Sequence, residues 1–261
     1  MKRTPLPKLP DTLPARFCDR FRGAPVFDCS SSPEARVYFV DLDGGIYLKS
    51  APPGTLAAEA KMTEYFHGKG LAPAVLDYVQ ADTDLLVTCA ARGEDATHPE
   101  TLSDPCRLAD TMGRALRALH ETDGTGCPVP RRMDGYLALA EANYRAGKFD
   151  PSLFRGAFSF STADEAYAVL TAGKGALQND TLIHGDYCLP NIMLENFRVS
   201  AFIDLGNGGI GDRHVDLLWG AWTLVYNLKT DKYCDRFFDA YGRERVDADI
   251  LRTVAAAECF G

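Results

Sequence analysis

The chain has 261 residues, a formal net charge of −8 from 28 basic and 36 acidic side chains, and 46% hydrophobic residues. That much apolar surface can offset the entropy lost on folding, which excludes a disordered or low-complexity protein. An acidic balance argues against nucleic-acid binding, which needs a concentrated basic face. No membrane span is expected, because the longest apolar stretch, residues 217–226, is much shorter than the about 20 residues that cross a bilayer.

The eight cysteines are scattered along the chain, with no CxxC pair and no Cys/His cluster at zinc spacing. A chain of this length can build its own core and needs no disulfides. The proline-rich N-terminal stretch contains no apolar run of the kind found in signal peptides. We therefore expect a cytoplasmic protein with reduced thiols, acting as a monomer or homodimer.

The first part of the chain predicts a small antiparallel α/β lobe. Two short apolar runs flank an Asp-Gly-Gly turn signal, which is typical of a β-hairpin. A segment with helical spacing follows and ends at two glycines. The predicted strands lie at residues 37–42, 46–49, 75–80 and 85–88, and the predicted helix at 55–70.

From residue 103 onward the apolar period changes to that of amphipathic helices. Thr162 and Glu165 form a capping-box pattern at the start of one of them. The later helices are expected near residues 108–119, 134–147, 163–174, 213–228, 232–241 and 247–259, and short strands at 182–184, 192–194 and 199–203. The sequence thus predicts an α+β fold with two lobes: a small, β-rich nucleotide-binding lobe, residues 1–92, and a larger, α-rich catalytic and acceptor-binding lobe, residues 93–261.

The strongest functional signal is an HGDxxxxN element that starts at His184 and contains Asp186 and Asn191, followed by Asp204 after the next predicted strands. Phosphoryl transfer from ATP requires residues of these types. One carboxylate accepts the hydroxyl proton, and an amide oxygen with a second carboxylate holds Mg²⁺ against the phosphates. Singly, each residue is equally typical of a turn cap, a strand start or a solvated strand end. Together, in this order, they favour catalysis.

This arrangement resembles the protein-kinase catalytic loop, with Gly185 in place of an arginine. It is more similar to the aminoglycoside phosphotransferases that act on a 3′-hydroxyl. Their HGD, the LPNIM-like strand and the FID before a glycine match residues 184–193 and 202–206, and the similarity extends from about residue 26 to residue 260.

The resemblance implies a protein-kinase-like fold and Mg·ATP as the phosphoryl donor. It implies that Asp186 is the catalytic base and that Asn191 and Asp204 are the Mg²⁺ ligands. It also implies that His184 is a structural member of the loop. The expected acceptor is a hydroxyl group of a small molecule, not a nucleic acid or a membrane.

The first lobe supplies the expected nucleotide-binding partners. Lys49 ends a predicted strand, and Glu59 on the next helix can hold it by an ion pair against the α- and β-phosphates. Without the later motifs, Lys49 would be interpreted as an ordinary exposed strand lysine. Tyr47, on the same face of that strand, resembles the family's adenine-stacking aromatic residue. Packing in the core is the alternative that stays open for Tyr47.

The chain has no Gly-rich phosphate loop. The corresponding turn, residues 30–35, contains serines, and the 3′-phosphotransferases that this chain resembles also have a serine-containing turn there. Backbone N–H groups there, with a hydroxyl such as that of Ser32, can donate to phosphate oxygens, although the sequence leaves open which serine acts. The hinge is expected at Cys89 to Ala91, where backbone groups can bind the adenine edge.

The expected acceptor site departs from the family pattern. Glu258 and Phe260 match the family's C-terminal acceptor residues, and Trp222 lies where the family's acceptor pocket begins, with core packing as its alternative. On that helix the family presents Arg-Asp and, three residues on, an acid, where this chain has Trp222, Thr223 and Tyr226. Segment 150–160 is rich in Phe rather than acidic. Because ammonium groups require carboxylate partners, the sequence predicts poor turnover of kanamycin and an acceptor with an aromatic or aliphatic face.

These observations predict an ATP-dependent phosphotransferase of the aminoglycoside 3′ type, as found in antibiotic resistance. Two alternatives stay open. One is a kinase of another hydroxylated metabolite with a less cationic acceptor. The other is a non-catalytic nucleotide-binding module, against which the complete set of lysine, acids and amide argues.

Overall fold

The computed structural model describes residues 3–31, 33–152 and 158–261. The chain divides into two compact units, of which the first comprises Met1–His98 with Ile192–Gly206 and the second Pro99–Asn191 with Asn207–Gly261. The sequence places the division after residue 92 and assigns everything beyond it to the second lobe. The structure groups a late hairpin with the first unit instead.

The first unit is built on a six-stranded antiparallel sheet with the strand order β1-β2-β3-β4-β6-β5. Its elements are β1 (Thr4–Leu6), α1 (Ala15–Arg20), β2 (Val26–Asp28), β3 (Arg36–Val40), β4 (Ile46–Ala51), α2 (Ala57–Gly68), β5 (Val75–Gln80) and β6 (Asp84–Cys89). The predicted hairpin, helix and two following strands are confirmed as β3–β4, α2, β5 and β6.

At the start of the first unit, β1, α1 and β2 have no counterpart in the sequence prediction. Prolines interrupt the apolar spacing of this stretch, so no helical or strand period is visible in it. These elements are held in place by packing against the sheet. Leu9, Leu13 and Phe17 are buried against the sheet residues Val40 and Leu48 in one apolar cluster.

A second sheet explains why the late hairpin belongs to the first unit. It has the order β10-β9-β7 and consists of β7 (Glu94–Asp95), β9 (Ile192–Glu195) and β10 (Arg198–Phe202). Gly93, before β7, has a φ of +79°, and a Cβ there would lie 2.0 Å from the carbonyl oxygen of Leu194. Only glycine permits this close approach of the two backbones, and the pairing was invisible in the local sequence.

The second unit is mainly helical. Its elements are α3 (Pro99–Leu102), α4 (Pro105–His120), α5 (Arg132–Arg145), α6 (Ala163–Gly173), β8 (Thr181–Ile183), β11 (Gly209–Gly211), α7 (Arg213–Leu228), α8 (Cys234–Tyr241) and α9 (Ala248–Glu258). All six predicted helices are present, and Thr162 accepts from the backbone N–H of Glu165 at 3.1 Å, as the capping-box pattern predicts. Helices α4 and α8 pack closely at Gly113, where a Cβ would lie 2.4 Å from the Phe237 carbonyl oxygen.

In the part of the chain that the structure describes, no helix combines the length and the hydropathy required to cross a membrane.

Candidate active site

The structure brings together three of the predicted nucleotide-site residues within the first unit. Lys49 lies on β4, and its Nζ donates to Glu59 Oε2 at 2.7 Å and to Asp204 Oδ1 at 2.8 Å. Glu59 is in the first turn of α2, and Asp204 follows β10. The ammonium group is therefore fixed between two carboxylates that stand far apart in the sequence.

The electrostatics of this cluster keep the lysine charged. Burial by itself lowers the pKa of Lys49, but the attraction of Glu59 and Asp204 outweighs it, so that the pKa lies above its ordinary value. Burial raises the pKa of Glu59, and Lys49 opposes that shift. The Glu59 side chain is only 10% exposed, whereas that of Asp204 is 50% exposed and accessible to a further partner.

Asp204 is held in an unusual backbone conformation. Its φ is +59°, in the left-handed region. Aspartate adopts this region more readily than most residues other than glycine, because its short polar side chain can form local hydrogen bonds. The turn directs the chain out of β10 immediately after the strand, at the place where the sequence predicts a metal ligand.

Tyr47 shares one face of β4 with Lys49, as the alternation of strand residues requires. Its ring contacts that of Phe39 at 5.0 Å between centroids, and its hydroxyl accepts from Arg3 Nη2 at 3.3 Å. Cys89 ends β6, where its backbone N–H donates to the Ala74 carbonyl oxygen.

Ala91 follows two residues beyond Cys89, in the same unit. Ser32 lies outside the described residues. The assignments of Tyr47, Cys89, Ala91 and Ser32 to the nucleotide stay predictions.

In the second unit, the predicted catalytic loop holds Asp186 and Asn191 in direct contact. Asn191 Nδ2 donates to Asp186 Oδ2 at 2.8 Å and to the Asp186 carbonyl oxygen at 3.0 Å. The Asn191 side chain thereby fixes one oxygen of the Asp186 carboxylate and directs its own amide nitrogen toward Asp186. The backbone N–H of Asp186 donates to His184 Nδ1 at 3.2 Å, which gives His184 the structural role that the resemblance implies.

Gly185 is required by the shape of this loop. Its φ is +82°, and a Cβ would lie 1.9 Å from the carbonyl oxygen of Asn207. A side chain at this position, such as the arginine of the protein-kinase motif, therefore cannot be accommodated in this loop.

A buried carboxylate, that of Asp216 on α7, supports the loop. It is 0% exposed, and its two oxygens accept from the backbone N–H groups of His184 and Gly185, each at 2.7 Å. The same carboxylate meets His120 Nε2 at 3.1 Å, and His120 Nδ1 meets the Tyr241 hydroxyl at 2.8 Å. Through these two contacts His120 belongs to a buried hydrogen-bond chain that positions the loop. Burial lowers the pKa of His120.

Beside the loop, the second unit contains a cavity of about 420 Å³. Its wall includes Asp186, Arg132 and Tyr136 of α5, Trp219 of α7 and Glu258 of α9. This is a volume suited to a small molecule, with a few polar groups among apolar ones. Asp186 thus faces a space that can hold an acceptor.

Glu258 has an unusual environment for a carboxyl group. It is 9% exposed, and its Oε1 accepts from the Tyr136 hydroxyl at 2.8 Å and from Trp219 Nε1 at 3.2 Å. Burial raises the pKa of Glu258 to about 7 despite these hydrogen bonds, and the negative charge of Asp186 adds to the rise. Near neutral pH this group carries only part of a negative charge.

The other predicted acceptor residues do not line this cavity. Phe260 is 2% exposed and packs against Tyr144 and Phe149 at 5.6 and 5.8 Å between ring centroids. Trp222 and Tyr226 follow Trp219 along α7, and their rings stack at 4.9 Å with an angle of 13°. Of segment 150–160, residues 153–157 lie outside the described residues. The acceptor roles of Phe260, Trp222 and Tyr226 stay predictions.

Arg132, Tyr136 and Trp219 are among the residues of the cavity wall that sequence reasoning missed. The position of Trp219 in α7 is equally typical of a side chain packed in the core. Arg132 and Tyr136 belong to the predicted α5, but nothing in the sequence marks which side of that helix faces Asp186. Their link to Glu258 and Asn207 depends on contacts between helices and loops that are distant in sequence.

Comparison with known proteins places these features in a family. The profile of the phosphotransferase enzyme family (APH) matches residues 29–252. A probable aminoglycoside 3′-phosphotransferase from Lactococcus lactis subsp. lactis is 43% identical to this chain over 252 residues, which cover 96% of each protein.

Two solved structures share the fold. The crystal structure of an aminoglycoside-3′-phosphotransferase of type VIII has a TM-score of 0.75 at 23% identity and covers 95% of this chain and 97% of its own. An aminoglycoside phosphotransferase from Streptomyces rimosus, solved in complex with ADP and streptomycin, has a TM-score of 0.71 at 24% identity, covering 86% of this chain and 90% of its own. These likenesses confirm the predicted α+β, protein-kinase-like fold class.

Proposed function

The chain belongs to the phosphotransferase enzyme family, and from that premise we propose that it transfers the γ-phosphoryl group of ATP to a hydroxyl group of an aminoglycoside-like small molecule. The observation that carries this proposal is the position of Asp186. Its carboxylate faces the cavity, and Asn191 fixes one of its oxygens. A carboxylate held in this way can receive a proton from an acceptor hydroxyl.

The transfer breaks the bond between the γ-phosphorus and the oxygen that bridges it to the β-phosphate, and ADP leaves. A new bond forms between the acceptor oxygen and the γ-phosphorus, and the hydroxyl proton moves to Asp186. The two hydrogen bonds from Asn191 orient Asp186 for this step. Positioning and electrostatic stabilisation supply most of the catalysis in such a reaction.

Asn191 and Asp204 each carry donors whose chemistry suits a magnesium ion. Asn191 uses its amide nitrogen for Asp186, which leaves its amide oxygen for a cation. Asp204 engages Lys49 through Oδ1 and is half exposed. Amide and carboxylate oxygens are the hard ligands that Mg²⁺ prefers, together with substrate phosphates. When bound, Mg²⁺ neutralises charge on the phosphates of ATP.

We assign the remaining nucleotide contacts to the first unit. Lys49, kept charged and held by Glu59, binds phosphate oxygens of ATP. Tyr47 contacts the adenine ring, and the backbone carbonyl of Cys89 with the N–H of Ala91 binds the adenine edge. Ser32 donates to a phosphate. ATP-dependent turnover of a small molecule is consistent with a cytoplasmic enzyme.

The proposal is tested by measuring ADP release with Mg·ATP against kanamycin, streptomycin and simple sugars. Product mass must increase by one phosphoryl group. The isosteric variant Asp186→Asn serves as the control, since it retains the shape of the loop. ADP release without a phosphorylated alcohol in any reaction, or equal product from Asp186→Asn, refutes the proposal.

A kinase of a less cationic hydroxylated compound is the second candidate. One observation favours it. The described cavity wall carries the guanidinium of Arg132, and its two acidic side chains are Asp186 and Glu258, of which burial raises the pKa of Glu258 to about 7. A non-catalytic nucleotide-binding module is not supported, because every residue that the chemistry requires is present.

A further inference from the structure

Arg132 stands in the cavity wall without an ion-pair partner among the residues that the structure describes. It is half-buried, and its Nη2 donates to Asn207 Oδ1 at 2.7 Å. Burial lowers the pKa of Arg132, and the attraction of Glu258 only partly offsets this. A guanidinium has five N–H donors, so a single amide oxygen leaves most of its hydrogen-bonding capacity for another partner.

The position of Arg132 in its helix gives no structural reason for a positive charge. Arg132 is the first residue of α5, and a cation near a helix N-terminus opposes the helix dipole. The neighbouring Arg131 is compensated, since it forms an ion pair with Asp134 at 2.6 Å and its side chain is 69% exposed. Arg132 is also placed unfavourably at the helix N-terminus, but it has no ion pair like that of Arg131 among the described residues. Its side chain lines the cavity.

The charged side chains of the described cavity wall are one guanidinium, that of Arg132, and two carboxyl groups. One is Asp186, the proposed proton acceptor. The other is Glu258, which accepts from Tyr136 and Trp219 and whose pKa is raised by burial despite these hydrogen bonds. An ammonium group entering this cavity would meet the guanidinium of Arg132 beside these two carboxyl groups. An oxygen-rich group would instead receive the free N–H donors of Arg132.

We propose that Arg132 is a specificity-determining residue that directs the cavity toward acceptors carrying a carboxylate or another oxygen acceptor beside the reactive hydroxyl, and away from acceptors carrying an ammonium there. The inference rests on the proposed phosphoryl transfer and names the class of acceptor for its second candidate, a kinase of a less cationic compound. The guanidinium donates to the acceptor oxygen in a planar fork, a geometry that lysine cannot reproduce.

A set of three sugars that differ only at carbon 6 tests the inference. These are D-glucuronate, D-glucose and 6-amino-6-deoxy-D-glucose, which carry a carboxylate, a hydroxymethyl and an ammonium group. The parent protein, Arg132→Gln and Arg132→Glu are compared by kcat/KM from ADP release, and by Kd from saturation-transfer NMR. Arg131→Gln is the matched control, since it removes the same charge from the neighbouring position outside the cavity wall.

In the parent we expect both kcat/KM and affinity to be highest for glucuronate and lowest for the amino sugar. Arg132→Gln should lower the ratio of glucuronate to amino sugar about tenfold, the effect of one charge at several ångströms in a partly screened site. Arg132→Glu should reverse the preference. Arg131→Gln should leave the ratio within about twofold of the parent.

An unchanged ratio in both Arg132 variants overturns the inference while leaving the proposed function intact. An equal fall in kcat for all three sugars also overturns it, because Arg132 would then act on the transferred phosphoryl group. If no sugar is phosphorylated by any variant, the ratio of the NMR Kd values decides the inference, and the proposed function is decided separately by the reactions with kanamycin and streptomycin. Should Arg132→Glu not fold, Arg132→Gln decides, since glutamine keeps an amide donor for Asn207.

Discussion

Two neighbouring regions of the second unit are built in opposite ways. The catalytic loop, residues 184–191, is fixed by buried hydrogen bonds: Asp216 binds two of its backbone N–H groups, and the Tyr187 hydroxyl donates to the Met112 carbonyl oxygen at 2.9 Å. Another N–H group of the loop, that of Leu189, donates to Thr223 Oγ1 at 3.1 Å. Each of these bonds would leave an unpaired buried group if one partner were removed.

The cavity wall has fewer constraints. Leu139 is 50% exposed, Arg132 is half-buried, and Trp219 is half-buried with a hydrogen bond to Glu258. These side chains project from α5 and α7, and Arg132 and Trp219 donate to other side chains, those of Asn207 and Glu258. The comparison teaches that the backbone of the loop is fixed by buried hydrogen bonds, whereas the cavity wall, where we propose that the acceptor is selected, is formed by side chains that can be exchanged.

The largest effect is expected from a substitution of Asp186, the proposed proton acceptor in the loop. Asp186→Asn removes the proton acceptor but keeps the side-chain shape, so kcat should fall by about 10²–10⁴. The Kd for ADP should stay within about twofold of the parent, measured by calorimetry with Mg²⁺ present. Asp180→Asn, an exposed carboxylate before β8, is the control and should leave kcat unchanged. A kcat within about tenfold of the parent for Asp186→Asn would contradict the assignment.

The next effect tests the backbone of the loop. Gly185→Ala places a Cβ 1.9 Å from the Asn207 carbonyl oxygen at a φ of +82°, so the loop must shift. We expect the free energy of unfolding to fall by about 3 kcal/mol in urea denaturation. Gly175→Ala is the matched control, because a Cβ there meets nothing within 4 Å. A loss below about 1 kcal/mol for Gly185→Ala would show that the loop adapts as readily as the cavity wall.

Glu258 in the cavity wall should make the free energy of unfolding depend on pH. Burial raises the pKa of Glu258 to about 7 from an ordinary value of 4.5, so the folded state binds more protons than the unfolded state between these values. The Glu258 carboxyl group therefore contributes most to the free energy of unfolding below pH 4.5, and this contribution is lost as pH rises through 7.

Glu258→Gln, which still accepts from Tyr136 and Trp219, should gain stability over the parent as pH rises. The gain should reach at most about 3 kcal/mol at pH 8.5 and vanish near pH 4. Chemical denaturation of both proteins across this range provides the measurement. Parallel pH profiles for parent and variant would refute the raised pKa.

The smallest expected effect concerns the aromatic residues beyond the cavity wall. Tyr226 is 57% exposed and stacks on Trp222. Tyr226→Ala should change the free energy of unfolding by no more than about 1 kcal/mol, but should raise KM for the acceptor about threefold if the acceptor extends along α7. Leu139→Ala, in the cavity wall itself, is the comparison. An unchanged KM for Tyr226→Ala would confine the acceptor to the residues that line the cavity.

Much of the first unit and of the loop could be predicted from local sequence. The hairpin β3–β4 follows from an Asp-Gly-Gly turn between apolar runs, and α7 from apolar residues at helical spacing. Lys49 and Glu59 could be predicted to pair because a strand and the helix after it are close in the chain. The N-terminal elements β1 and α1 could not be predicted, because their order comes from packing on the sheet.

The sequence by itself predicted the chemical groups of the proposed reaction, since Lys49, Asp186, Asn191 and Asp204 stand in motifs whose spacing is local. Only the tertiary structure decided what surrounds them. Arg132 and Glu258 belong to different helices, and whether their side chains face a cavity depends on how those helices pack. The charge of Glu258 is likewise a property of its burial, since the same carboxyl group in water would be fully ionised at neutral pH.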